Sequence, residues 1–232
     1  MAQPAVDPGV LQALDRMADY LRGLKNFELR VSTVTDEMLD HDQMAQIGRW
    51  ATLKVRRPGA MRADMRDDRG DRKLLYYNGK TASLYDPGTR YYATVAAPST
   101  IDETVQLLGQ HYGIQLPVAD LFYWDSNRVD LRGIKSADFL GYAEVDGRPT
   151  NHFALRQEGV DWQIWVERGA TPLPRKLVIT TTMDAATPQH AALLHWNLSP
   201  RFAAGDFSFK PPPGAHQIAI QTVDGTVDSA GQ

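Results

Sequence analysis

The stretch DWQIWVERGATPLPRKLVITT, residues 161–181, contains two arms that alternate apolar and polar residues around a Gly-Ala-Thr-Pro-Leu-Pro connection. In the first arm Trp162 and Ile164 fall on one side, and in the second Leu177 and Ile179 do the same. This two-residue period is that of a β-strand with one face turned away from water. Two prolines in the connection forbid regular ladder pairing there. The stretch therefore predicts a long antiparallel hairpin.

The same two-residue period recurs along most of the chain. It is found in the segments 27–31, 47–55, 61–65, 139–145 and 190–198, and strong turn signals stand at Asn78-Gly79, Asp86-Pro87-Gly88 and Asp146-Gly147. Such turns join antiparallel strands. The segment FSFKPPPG, residues 207–214, has the pattern of a strand ended by three prolines. The pattern predicts a mainly β protein with a few α-helices.

Two segments have helical spacing instead. An amphipathic helix is predicted over about 8–25, after the start signal of Asp7 and Pro8. A helical insertion is predicted over about 99–124, where Thr100 and Glu103 stand as in a capping box. The Gly, Asp and Ser residues of the end indicate a flexible tail over about 222–232. No repeat or composition break appears, so residues 1–232 are predicted to form a single domain.

Composition excludes several classes of partner. The 232 residues carry 25 basic and 28 acidic side chains, for a formal net charge of -3. This balance gives no strong attraction to nucleic acid or to anionic lipid surfaces, so no nucleic acid partner is expected. No apolar run approaches the roughly 20 residues of a membrane span, so no stable membrane insertion is expected. With no cysteine, disulfides and thiolate chemistry are excluded.

No motif for catalysis, metal or cofactor binding stands in the sequence. The acidic segment RDDRGDRK, residues 66–73, lacks the ligand order of a calcium loop and is interpreted as a solvated turn. His190 and His195 are five apart on a predicted strand, which points them to opposite faces and disfavours a metal pair. We therefore predict a protein that is not an enzyme, without metal or cofactor, although a dispersed catalytic triad would leave no motif.

Four segments in this order resemble the LolA-like superfamily of periplasmic lipoprotein and lipid carriers, and within it the DUF2092 family. They are the leading helix running into LKVRRPGAMRAD (53–64), then YYNGKTASLYDPGTRYY (76–92), WVERGATPLPRKLVI (165–179) and FSFKPPPG (207–214). The resemblance implies a curved, antiparallel, incomplete β-barrel. Helices would cover its concave face and leave an apolar cavity for acyl chains.

The resemblance also implies a role for one arginine. In the carriers, an arginine ahead of the proline in a Lys-Arg-Pro step reaches towards the helical lid, and Arg57 holds the matching position. By strand parity Arg57 shares a side with Leu53 and Val55, at the end of an apolar face. It would then need lid carbonyls, a carboxylate, water or a ligand head group as partner. The alternative is an arginine that simply reaches water from a strand end.

The apolar strand faces supply the candidate cavity lining. Besides Arg57, the predicted ligand-binding residues are Phe27, Leu29, Leu53, Met61, Met65, Phe153, Leu155, Trp162, Ile164, Leu194 and Trp196. In a solidly packed barrel the same residues would be ordinary core, because apolar parity reports only exclusion from water. Both readings stay open from the sequence.

The resulting functional hypothesis is a periplasmic carrier or sensor that binds a lipid or the acyl chain of a lipidated protein. The opening MAQPAVDPGV resembles a mature exported chain whose signal peptide is absent. The alternative is a cell-envelope regulatory module on the same fold. There, exposed aromatics such as Trp165 and Tyr92 would contact an envelope protein partner.

Overall fold

The computed structural model of the chain describes residues 6–118, 133–203 and 205–228. Its elements, in chain order, are α1 (Pro8–Gly23), β1 (Asn26–Met38), a 3-10 segment (Asp40–Asp42), β2 (Met44–Arg56), β3 (Ala60–Asp67), β4 (Arg72–Tyr77), β5 (Thr81–Asp86), β6 (Tyr91–Ala96), α2 (Ile101–Tyr112), β7 (Ser136–Val145), β8 (Arg148–Gln157), β9 (Val160–Glu167), β10 (Pro174–Thr181), β11 (Gln189–Asn197), β12 (His216–Gln217), β13 (Ile220–Gln221) and β14 (Val227–Asp228). The protein is mainly β, as predicted.

Twelve of the described strands form one hydrogen-bonded sheet. Its order is β12-β6-β5-β4-β3-β2-β1-β11-β10-β9-β8-β7, with two ends, so the sheet is open. Successive pairs from β2 to β6 and from β7 to β11 are antiparallel. These pairings confirm the antiparallel, unclosed sheet expected from the sequence. One pair differs, because β12 runs parallel to β6.

The chain groups into two compact units. Unit 1 contains residues 1–23, 31–48 and 124–195, and unit 2 contains residues 24–30, 49–123 and 196–232, each within the described residues. Both units draw on distant parts of the sequence, which is why no composition break marks them. The single domain expected over 1–232 stays a prediction.

In unit 1 the hairpin of residues 161–181 has the predicted form. β9 pairs with β10 so that Ile164 faces Leu177 and Trp162 faces Ile179. The register shifts between Pro174 and Lys176, where proline lacks the N–H that a regular ladder requires. Ile164 is 1% exposed, and burial of such a side chain contributes about 1.5–3 kcal/mol.

In unit 2 the predicted turns join β4 to β5 and β5 to β6. The Asn78 carboxamide accepts hydrogen bonds from the N–H groups of Lys80 and Thr81, and Asp86 does the same for Gly88 and Thr89. These side chains supply the acceptors that a tight turn leaves unfilled. The turns therefore close the hairpins as the sequence indicated.

The segment FSFK does not form the strand that was expected. Residues 207–210 adopt turn and irregular structure. Phe209 instead packs its ring 5.4, 5.7 and 5.1 Å from those of Tyr76, Tyr85 and Tyr92. Aromatic contacts of this kind hold a segment without ladder hydrogen bonds. The prediction was wrong because alternation alone does not distinguish a strand from an anchored loop.

Each of the two segments predicted to be helical contains a helix in the structure. The helix expected over about 8–25 runs from Pro8 to Gly23 and buries Val10, Leu14 and Met17. Of the insertion predicted over about 99–124, α2 is helical, and residues 119–124 lie outside the described part. Within the predicted tail, β14 pairs with β13, and residues 229–232 lie outside the described part. No helix of the described residues is both long and apolar enough to cross a membrane.

Candidate functional site

Five of the predicted cavity residues lie in unit 1. Phe153 pairs with Ile164 and Leu155 pairs with Trp162 across β8 and β9. Paired residues point to the same face of a sheet, so these four form one apolar patch. They and Leu194, on β11, are each at most 7% exposed. The structure thus places them in the interior of unit 1.

The other apolar candidates lie in unit 2. Leu53 and Met61 are fully buried, and both face the interior from β2 and β3. Phe27 and Leu29, on β1, are also buried. The ring of Phe27 lies 5.3 Å from that of Trp196.

Met65 and Trp196 are the two apolar candidates that are only half-buried. Met65 pairs with Ala51 at the open end of the β2–β3 ladder, two residues before the end of β3. Within each unit the candidates therefore lie on apolar faces of the expected parity. A cavity formed jointly by all of them stays a prediction.

Burial has a direct consequence for ligand access. Leu53, Met61 and Ile164 have almost no contact with water in the structure, so neighbouring side chains already cover them. An acyl chain can reach such residues only where a covering element shifts. Two amphipathic helices, one in each unit, are candidates for that element: α1 in unit 1 and α2 in unit 2.

Arg57 contacts the helix α2. Its guanidinium Nη1 donates to the Asp102 carboxylate over 3.2 Å, and its backbone N–H donates to the Lys25 carbonyl over 2.8 Å. The Arg57 side chain is 17% exposed and that of Asp102 is 43% exposed. Asp102 stands in the first turn of α2, where the helix dipole favours a negative charge. Of the partners considered for Arg57, the structure supplies a carboxylate on a helix.

Further contacts fix the start of α2 against the strands. The Ile101 N–H donates to the Pro58 carbonyl over 2.8 Å, and the Tyr77 hydroxyl donates to the Pro98 carbonyl over 2.6 Å. Burial raises the pKa of the Tyr77 phenol, which keeps it a neutral donor. Thr100 caps the helix by accepting from the Glu103 N–H, as predicted. The first turn is therefore held against the strands. The last turn ends at Gly113 in a left-handed conformation, and there the His111 carbonyl accepts from the Val223 N–H over 2.8 Å.

The acidic segment 66–73 and the two histidines considered as metal ligands form contacts within the chain. In the acidic segment, Asp67 accepts from the N–H groups of Arg69 and Asp71 and closes the β3–β4 turn. His190 lies 2.8 Å from the Thr35 hydroxyl, and His195 lies 3.7 Å from Asp146. Among the described residues no three His, Asp or Glu side chains are grouped as metal ligands require.

One buried ion pair was missed by the sequence reasoning. By strand parity Glu167 falls on the side opposite Trp162 and Ile164, yet it is 10% exposed and forms a salt bridge with Arg175, which is 11% exposed. Arg148 approaches the same carboxylate at 3.6 Å from a more exposed position. The available signal was the presence of opposite charges on either side of the proline-rich connection. Strand parity hid it, because the register shift at Pro174 changes which residues meet.

The aromatics proposed to contact a protein partner are engaged within the chain. Trp165 stacks on His152 with ring centroids 3.9 Å apart, and the Lys176 ammonium lies 4.7 Å from the Trp165 ring centroid. Tyr92 packs against Phe209. More exposed apolar side chains stand on β7, at one end of the sheet: Phe139, Leu140 and Tyr142 are 43%, 54% and 70% exposed.

Comparison with protein families gives one match. The sequence model of DUF2092, described as predicted periplasmic protein, matches residues 11–221. That span includes all twelve predicted site residues. None of the curated proteins compared with the chain matches it.

Comparison with solved structures finds similar folds, and one of those described next, LppX, aligns with a TM-score above 0.5. The lipoprotein LppX of Mycobacterium tuberculosis aligns with a TM-score of 0.51 at 14% identity, over 84% of this chain and 98% of LppX. The LolA superfamily protein NE2245 of Nitrosomonas europaea aligns with a TM-score of 0.40 at 10% identity, over 86% of this chain and 97% of that one. The MucA/MucB complex of Pseudomonas aeruginosa contains a chain that aligns with a TM-score of 0.42 at 15% identity, over 93% and 72%.

Proposed function

The chain belongs to the DUF2092 family of predicted periplasmic proteins, and on this premise we propose that it is a carrier or sensor that binds an acyl chain without catalysis. The acyl chain would come from a lipid or a lipidated protein. Its LolA-like resemblance and its periplasmic family agree with such a role. The fold likeness to LppX supports the architecture alone.

The observation that carries the proposal is the apolar patch of unit 1. The patch consists of two adjacent cross-strand pairs, Phe153 with Ile164 and Leu155 with Trp162, and none of these four side chains is charged. Each methylene group of a ligand buried on such a surface contributes about 0.8 kcal/mol. Binding would then depend on chain length more than on polar recognition.

Arg57 would act on access to unit 2. Through Asp102 it holds the first turn of α2, and α2 buries Ile101, Val105 and Leu108. The His111 carbonyl in the last turn of α2 also accepts a hydrogen bond from the Val223 N–H over 2.8 Å, so α2 can shift only when the contact at one of its ends opens. In this proposal the Arg57–Asp102 contact limits how far α2 moves and so how fast a ligand exchanges.

Native mass spectrometry of the protein purified gently from its own cell envelope tests the proposal. Solvent extraction and lipid analysis of the same sample would identify any bound species. Acyl species in near-stoichiometric amount support a carrier or sensor. A mass of the bare chain that persists after incubation with phospholipids and lipopeptides contradicts it.

A pair of matched variants tests whether the ligand lies on the apolar patch. Ile164→Thr puts a hydroxyl on the apolar patch, and Val178→Thr makes a similar change on the neighbouring strand β10. Val178 pairs with Gln163 and so faces the opposite side of the sheet. We expect Ile164→Thr to weaken uptake of a fluorescent fatty acid at least tenfold and Val178→Thr to leave it unchanged. Equal effects would remove the patch from the binding site.

A protein-interaction module is the second candidate, and the exposed side chains of β7 favour it. Phe139 and Tyr142 pack edge to face with ring centroids 5.4 Å apart. Leu140 stands between them at an irregularity of the β7–β8 register. Exposed apolar patches of this kind often contact other proteins.

A photo-crosslinker at position 140 discriminates the two functions. For an interaction module, the crosslinker in intact envelopes should capture one defined envelope protein, and Leu140→Ser should abolish copurification of that protein. The same crosslinker at Val223, an exposed apolar residue of unit 2, is the control. Retention of lipid with no specific crosslinked protein favours the carrier.

A further inference from the structure

Unit 1 contains a cavity with a basic lining next to the apolar patch. Its volume is about 280 Å³, and its walls include Arg16 of α1, Tyr142 of β7, Asn151 of β8, Glu167 of β9 and Arg168 in the following turn. We call it the basic pocket. Pockets that enclose whole drug-sized ligands span roughly 300–1,000 Å³. The basic pocket is therefore suited to one polar group of a larger molecule.

The charges of the basic pocket are not balanced within it. Glu167, its only acidic wall residue, already pairs with Arg175 and lies 3.6 Å from Arg148. Neither Arg16 nor Arg168 forms an ion pair with a carboxylate of the described residues. Glu144, two positions beyond Tyr142 on β7, is exposed and is the nearest acidic side chain in sequence on that strand. The pocket therefore carries an excess of positive charge.

Arg168 is held in a conformation suited to anion binding. Its guanidinium carbon lies 4.1 Å from the centroid of the Tyr142 ring, and its backbone N–H donates to the Pro149 carbonyl over 2.9 Å. Stacking occupies the flat faces of a guanidinium and leaves its in-plane N–H groups available. These groups match the paired oxygens of a phosphate or carboxylate. Arg16, exposed on α1, supplies a second positive charge to the pocket lining.

The basic pocket and the apolar patch share one face of the sheet. Tyr142 pairs with Asn151, and Asn151 pairs with Val166, all at the pocket. The next pair with the same orientation along β8 and β9 is Phe153 with Ile164. Two residues along a strand span roughly 7 Å. A ligand with its anionic group in the pocket would therefore direct an attached chain along the patch, once the element that covers these buried residues has shifted.

We propose that the basic pocket binds the phosphate or carboxylate head group of an amphiphile whose acyl chain lies on the apolar patch. The inference rests on the proposed acyl-chain function and narrows its ligand to anionic lipids. It also qualifies the expectation from net charge, because an overall charge of -3 coexists with a locally positive site.

Isothermal titration with two lipids of the same acyl chain tests the inference. The anionic probe is a lysophosphatidylglycerol and the neutral probe is a monoacylglycerol, both below their micelle concentrations. We expect the anionic probe to bind at least tenfold more tightly. In the double variant Arg16→Gln/Arg168→Gln that preference should vanish while the neutral probe binds as before. Arg201→Gln, which removes an exposed arginine of unit 2, should change neither affinity.

The outcomes separate this inference from the proposed function. Equal binding of both probes by the unaltered protein, or an unchanged preference in the double variant, overturns the head-group site and leaves the carrier intact. If neither probe binds, both the proposed carrier function and the proposed head-group site are overturned. Inorganic phosphate is titrated as a third probe: competition with the anionic lipid supports the shared anion site, whereas phosphate binding without lipid binding overturns the assignment to an amphiphile. Because both arginines are exposed, the double variant should melt at the same temperature as the unaltered protein.

Discussion

At the scale of single residues, Arg57 shows what strand parity can and cannot predict. Parity placed it at the end of the apolar face of β2, and in the structure it directly follows β2 and is only partly exposed. Its partner Asp102 lies 45 positions away and on a helix. No local pattern links two such positions, because their contact depends on how α2 packs. The sequence could therefore predict the kind of partner and not its identity.

A double-mutant cycle measures the strength of this contact. Arg57→Met and Asp102→Asn, alone and together, should give a coupling of about 0.5–1 kcal/mol in urea unfolding, because one partner is largely shielded and the other is exposed. The pair Lys135 and Glu158, whose side chains are 52% and 85% exposed, is the control and should couple more weakly because neither partner is shielded from water. Under the proposed function, Asp102→Asn should also speed release of a bound fatty acid. A coupling no larger than that of the control would mean that Arg57 does not hold α2.

At the scale of elements, periodicity predicted the strands and helices well where one face is buried. The hairpin of β9 and β10, the turns of unit 2 and the capped start of α2 all follow from local chemistry. The failures are also of one kind. FSFK is anchored by Phe209 against three tyrosines, and Glu167 pairs with Arg175, which lies at a register shift. Each of these two features depends on a distant partner residue or on an interruption of the two-residue period, and the alternation of apolar and polar residues encodes neither.

The buried ion pair of the hairpin gives a second prediction. Removing Arg175 leaves the buried Glu167 carboxylate with only the more distant Arg148, so Arg175→Met should lower the free energy of unfolding by about 3 kcal/mol. Arg148→Met removes a partner that is 60% exposed and should cost less than about 1 kcal/mol. Chemical denaturation of the two variants side by side provides the comparison. Equal losses would show that the Arg175 pair has no special role in the hairpin.

At the scale of the whole molecule, fold class and family were within reach of the sequence, and the ligand was not. The order of segments predicted the DUF2092 family and an antiparallel, unclosed sheet, and the family match and the strand order confirm both. Buried apolar residues are common to a solid core and to a covered ligand site, so pattern alone cannot decide between them. The basic pocket arises from α1, β7, β8 and β9 together. The net charge of the whole chain therefore gave no sign of the local positive charge of the basic pocket.

The sheet edge at β6 gives the prediction that belongs to this scale. The short strand β12 pairs beside β6, with the His216 N–H donating to the Arg90 carbonyl over 2.9 Å and the Ile218 N–H to the Tyr92 carbonyl over 2.8 Å. A chain ending at Gly214 lacks these donors, whereas one ending at Ile218 keeps them. We expect the shorter chain to scatter far more light after a day at 37 °C, because unpaired strand edges associate. The same scattering from both chains would mean that β12 does not protect this edge.

The pairing of β12 with β6 also affects how the protein resists aggregation after proteolysis. The β6 sequence YYATVA combines aromatic and β-branched residues without a charge, which is the composition of segments that assemble into amyloid-like stacks. A protease that cleaves the chain just after the three prolines would therefore expose the β6 edge and promote aggregation. The edge strand β12 thus protects the sheet after synthesis as well as during folding, and its loss should be detected as turbidity of the protein solution.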